Sequence, residues 1–120
     1  MHRRILVPAL SSATGHFIAQ RVSAVVLAVL GVWLVCSLIG MDSFEHGSMR
    51  AFAATPLNSG LLALLSVSMA YHSYLGVEVV IDDYVHLPRL NSMAQLLSRA
   101  AHLVLALVAL HATYQLGFGT

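Results

Sequence analysis

Lysine is absent from this 120-residue chain, and charge of either sign is scarce: six arginines and five acids make up 9% of the residues and leave a net charge of +1. So little charge offers no electrostatic footprint for nucleic acid, and no nucleic-acid partner is expected. Tryptophan and cysteine occur once each, at Trp33 and Cys36. One thiol closes no internal disulfide and supplies no iron–sulfur ligand set. Inside an apolar run, Cys36 reads as a small packed side chain. What fills the chain instead is hydrophobic side chain, 58% of all residues, with a mean hydropathy of +0.81. That lies outside the range of ordinary soluble domains and fits a membrane protein of one small domain, residues 1–120.

Three uncharged windows carry this apolar character: Val22 to Met41, Ala51 to Val77, and Ala100 to Thr120. Each is about 20 residues or longer, enough to cross a hydrocarbon core of roughly 30 Å. The fold class expected is all-α, an integral membrane bundle of three transmembrane helices near 19–40, 57–81 and 99–118. Arg3 and Arg4 precede an apolar run too short for a secretory leader, so the first helix is expected to be retained. Gly47 and Pro56 mark the first connection as a loop. Pro88 breaks the second, with a short interfacial helix expected before Arg99. Arg3, Arg4, Arg21, Arg89 and Arg99 fall on one side of these spans and only Arg50 on the other. The arginine-rich side is cytoplasmic, so the amino terminus is expected there and the carboxyl terminus outside. Ala24, Ala28 and Gly31 give the first helix small-residue spacing suited to packing on a second membrane subunit.

The second window ends in "YHSYLGVEVVIDDYVH", residues 71–86, which places ionisable groups in a lipid-like segment. His72 stands about a dozen residues, roughly 18 Å, deeper than Tyr84. Such a group at mid-membrane is costly unless neutral, paired or coordinating, so it reads as functional. Gly76, one turn on, would give clearance to a porphyrin edge, and the imidazole would give haem iron an axial nitrogen. A neutral imidazole bonded to a neighbouring helix is the alternative. Haem in electron transfer needs a second axial ligand, and His111 is the internal candidate at similar depth, with His102 near the interface. Asp83 returns to nearly the His72 face, since eleven residues at about 100° each make three turns. The Tyr84 phenol beside a carboxylate can hydrogen-bond a quinone carbonyl and pass on a proton. Solvated acids and an aromatic anchor would look the same in sequence. Glu78 reads as a snorkelling side chain with no assigned role.

The run His72, Gly76, Val79, Val80, Ile81, Asp83, Tyr84, Val85, His86 resembles the second transmembrane helix of the small hydrophobic membrane anchor of succinate dehydrogenase (respiratory complex II). The segment "GHFIAQRVSAVVL", with Gly15, His16, Arg21 and Ser23, is similar to that family's approach to its first helix. The resemblance implies a haem b shared with a companion cytochrome b anchor chain, His72 being one axial ligand of the iron and the companion supplying the other. It implies that Tyr84 binds ubiquinone, that Asp83 supports that site, and that Arg21 lies near the haem propionates or the quinone pocket. It further implies iron–sulfur and flavoprotein subunits as partners, no catalysis by this chain alone, and a bacterial inner membrane, with the mitochondrial inner membrane as second choice. Glu78 departs from the uncharged residue expected there, and Asp82 stands where glutamate is frequent. Other readings are the anchor of a related fumarate reductase, a self-contained cytochrome b using His72 and His111, and a cofactor-free structural protein.

Overall fold

Proline placement sets two of the helix starts. Thr55 and Leu87 each precede a proline and are extended, with φ/ψ of −63°/126° and −71°/121°. Steric conflict with the following ring disfavours helix at such a residue, while proline itself suits the first helical position. In the computed structural model, which describes the backbone of residues 3–119 and the side chains of 13–119, helices therefore begin at Pro56 and Pro88. The element order is α1 (Arg3–Ile39), α2 (His46–Ala54), α3 (Pro56–Tyr84) and α4 (Pro88–Phe118), with no strand among the described residues. Ala13–Ile39, Pro56–Tyr84 and Pro88–Phe118 are each long and apolar enough to cross a membrane. The side chains of Arg3 and Arg4, which enter the charge count, lie outside the described residues.

Two connections differ from expectation. The segment read as the first loop contains α2, which stacks Phe52 on Trp33 of α1 at 6.1 Å between ring centroids and accepts a hydrogen bond from Asn58 Nδ2 at the Phe52 carbonyl. The short interfacial helix expected after Pro88 does not end before Arg99. Nothing between Arg89 and Phe118 interrupts helix, neither proline nor an early glycine, so α4 runs unbroken and starts eleven residues before the expected 99.

Helix α3 lies between the other two spans. It packs against α1 on one side and α4 on another, and among the described residues the α1 and α4 backbones do not come within 8 Å of each other at Cα. The buried set inverts that of a soluble protein. Among the described residues only Leu30, Leu65 and Leu75 are buried apolar residues, whereas Ser23, Ser59, Ser98 and Thr113 are buried hydroxyls. Lipid is as apolar as leucine, so burying leucine gains little, and hydroxyls that hydrogen-bond across or along helices hold the contacts instead. The large aliphatic side chains Val22, Val25, Val29, Val32 and Val35 of α1 stay exposed, as does the space beside Gly31, where an added Cβ would meet nothing within 4 Å.

The α3–α4 hairpin has a readable register. Asp82 Oδ1 accepts from Asn91 Nδ2 and Gln95 Nε2 at 3.1 and 3.0 Å. Further along, Gln95 Nε2 donates to the Glu78 carbonyl at 3.2 Å, Arg99 Nε donates to the Tyr74 hydroxyl at 3.2 Å, and Ser73 Oγ lies 3.0 Å from His102 Nε2. At the far end Ser59 Oγ donates to the Thr113 carbonyl. Gly117 permits that approach, because a Cβ there would sit 2.5 Å from Ser59 Oγ. The connection itself is only Val85 to Leu87.

Candidate functional site

His72 sits in the α1–α3 contact. Its Nδ1 lies 2.8 Å from Ser23 Oγ, and Ser23 Oγ donates its single proton to the Gln20 carbonyl, 3.0 Å away on the preceding turn. The hydroxyl is then an acceptor toward the ring, which assigns the proton to Nδ1 and leaves the lone pair on Nε2. Nε2 makes no hydrogen bond among the described residues, and it is not among the sealed, unpaired atoms. The result is an imidazole fixed at one nitrogen and available at the other, as a metal-ligating histidine requires.

His102 shows the opposite state. Nδ1 donates to the Ser98 carbonyl at 2.7 Å, so Nε2 must accept from Ser73 Oγ at 3.0 Å. Both nitrogens are used, and the ring also packs edge-on against Tyr74, at 5.9 Å between centroids. This histidine ties α3 to α4.

The depths expected for His102 and His111 are corrected by the register. His102 lies beside Ser73, level with His72 and not near the interface. His111 is exposed on α4, two residues before Thr113, which meets Ser59. That puts His111 near residue 62 of α3, about ten residues and roughly 15 Å from His72 along the axis. Starting α4 at Pro88 moves every residue of it about three turns relative to a helix starting at Arg99. His72 and His111 are therefore not brought to one iron.

At the other end of α3 the neighbouring acids separate. Asp82 is held by Asn91 and Gln95 and fixes the hairpin. Asp83 and Tyr84 are exposed and make no side-chain hydrogen bond among the described residues, with Tyr84 at 80% exposure. The helix extends through both, so Asp83 falls within about 20° of the His72 direction and Tyr84 about 120° from it. Gly76, one turn beyond His72, has open space where a Cβ would stand. Arg21 is exposed, with its guanidinium 5.1 Å over the Phe17 ring. Two residues along a helix turn about 200°, so Arg21 projects away from Ser23 and the structure does not bring it to His72 within this chain.

Over residues 1–114 the sequence matches the family described as succinate dehydrogenase/fumarate reductase transmembrane subunit. The chain belongs to that family. Individual relatives are named succinate dehydrogenase hydrophobic membrane anchor subunit. The one from Rickettsia felis is 29% identical over 87 residues, 72% of each chain. That from Rickettsia prowazekii is 30% identical over 81 residues, 68% of this chain and 65% of the relative. That from Rickettsia conorii is 32% identical over 82 residues, again 68% and 65%. The match thus spans just under two thirds of the length of the latter two proteins. With three apolar spans and bacterial relatives, this family member is a bacterial membrane protein.

The residues fit a haem on one side. His72 offers a single free nitrogen with its partner nitrogen anchored, and Gly76 leaves room one turn away. No cluster of three or more histidine, cysteine or acidic side chains able to hold a metal ion occurs among the described residues. Ser23 is the site residue to which sequence alone gives no role. Its signal is faint: a serine inside an apolar helix, which more often bonds only its own preceding turn.

Proposed function

We propose that this chain is the anchor of a bacterial succinate dehydrogenase, giving one axial nitrogen to a haem b and part of the site at which ubiquinone is reduced. The observation that carries the reading is the free Nε2 of His72, opposed by an Nδ1 held on Ser23. A bound haem would supply one-electron storage beside the quinone. Ser23 holds the His72 ring in one tautomer and orientation, and Gly76 keeps the adjoining turn clear. Tyr84 donates its phenolic proton as a hydrogen bond to a quinone carbonyl, and Asp83 beside it hands on protons from water as the quinone takes up two electrons and two protons. His111 lies about 15 Å from His72 along the axis, and the family resemblance implies that a further ligand would come from a companion cytochrome b anchor chain. Iron–sulfur and flavoprotein subunits would dock at the Tyr84 end. That end is the cytoplasmic one by arginine distribution, since Arg89 sits there and Arg50 lies in α2, which packs at the other. Arg21 would reach a propionate or the quinone pocket only on the face turned from α3.

The family description also covers fumarate reductase anchors, and the quinone of the source membrane would separate the two: ubiquinone for succinate oxidation, menaquinone for the reverse.

The test is a mild-detergent pull-down through a tag on this chain, read for a Soret band and for succinate-dependent ubiquinone reduction. His72→Ala is expected to lose the haem. Tyr84→Phe is expected to keep it and lose turnover by about 100-fold, the scale of one proton-transfer group. A well-folded eluate without flavin, haem or activity overturns the proposal.

A further inference from the structure

The α1–α3 seam contains more polar groups than His72 and Ser23 use. Toward the Tyr84 end, His16 Nε2 comes within 3.9 Å of Glu78 Oε2, the only such approach between a cationic and an acidic side chain among the described residues. His16 Nε2 is sealed from solvent and has no hydrogen-bond partner among the described residues, and the same holds for Gln20 Oε1, one turn along α1. Gln95 Oε1 is the third such atom, on an amide whose nitrogen bonds the Glu78 carbonyl. Two of these three residues thus meet Glu78 directly, His16 at its carboxylate and Gln95 at its backbone carbonyl, and Gln20 lies one turn from His16. Buried donors and acceptors in this state are normally met by ordered water. Glu78 is six residues from His72 on α3, an axial separation of about 9 Å.

We propose that His16 and Glu78 form a water-bridged proton site that gains a proton when the haem held by His72 gains an electron and releases it when the electron leaves. The inference rests on the haem reading above. Negative charge added at a haem held by His72 attracts a proton to a partly enclosed carboxylate–imidazole pair, because partly buried charges are incompletely screened. One electron, from a chemical reductant in the experiment, is matched by one proton from water at the exposed Asp83 end, and an oxidant returns both. Other titratable groups near the pair are otherwise engaged. On α1, Arg21 lies over Phe17. On α3, Asp82 is bound to Asn91 and Gln95 and Asp83 is exposed. From α4, Arg99 is on Tyr74, and His102 has both nitrogens bonded.

The experiment is a spectroelectrochemical titration of the haem in the purified complex across about pH 5.5–8.5. The potential is expected to fall as pH rises, and Glu78→Gln and His16→Gln are each expected to reduce that slope by at least half. The wild-type redox-difference infrared spectrum should contain a carboxyl band that shifts in D2O and is missing in Glu78→Gln. Unchanged slopes in both variants, or a carboxyl band that survives Glu78→Gln, would overturn the proposal. If one variant fails to assemble, the other decides by its slope. A wild-type complex with no Soret band instead removes the haem reading, and this inference with it.

Discussion

Ser23 and Ser73 give two histidines at the same depth opposite chemical states. The hydroxyl at Ser23 is occupied by the Gln20 carbonyl and accepts from His72, which frees Nε2. The hydroxyl at Ser73 donates to His102, whose Nδ1 already serves the Ser98 carbonyl. Ser23→Ala should therefore keep the haem but weaken its binding by about 10- to 100-fold, the usual effect of losing a ligand's supporting hydrogen bond. Ser23→Thr should restore it. Haem per chain during titration with a competing haem acceptor measures this, and His102→Gln, as the control, should leave the haem spectrum unchanged. His72 was legible in sequence because an ionisable group in an apolar helix is costly wherever its partner lies. The identity of its partner was not, since a serine contributes almost nothing to an apolar pattern.

At the scale of the helices, the spans could be read from three long uncharged windows, and Pro88 from its ring chemistry. The start of α4 relative to the membrane could not. Its first eleven residues are polar enough to resemble a surface segment, and counting depth from Arg99 put His111 where His102 belongs. Tertiary pairing of Asp82, Glu78 and Tyr74 with Asn91, Gln95 and Arg99 sets the register. At the far end the hairpin depends on Gly117, which admits Ser59. Gly117→Val is predicted to cost about 1–3 kcal/mol, as over-packing does. The denaturation midpoint of the complex in graded dodecyl sulfate checks this, and a midpoint equal to wild type would show that the contact can relax freely.

At the scale of the whole chain, α1 is held by its packing on α3, with the Trp33–Phe52 stack adding a contact to α2. The chain expressed without other subunits should keep its α3–α4 hairpin yet bind haem with an affinity at least about tenfold lower than the assembled complex, having only one axial nitrogen to offer. Soret absorbance per chain, with and without the co-expressed companion anchor, gives the answer; equal absorbance would require a second internal ligand. The three-residue connection between α3 and α4 also bears on biosynthesis. The ribosome releases α1 first, and Ser23 then waits in the bilayer with no ring to hold. His72 follows on a helix that enters the membrane closely trailed by α4, so the tethered nitrogen exists only once the second span has returned alongside the first. On the proposed reading, haem loading would follow insertion, since a chain stalled after its first span lacks His72.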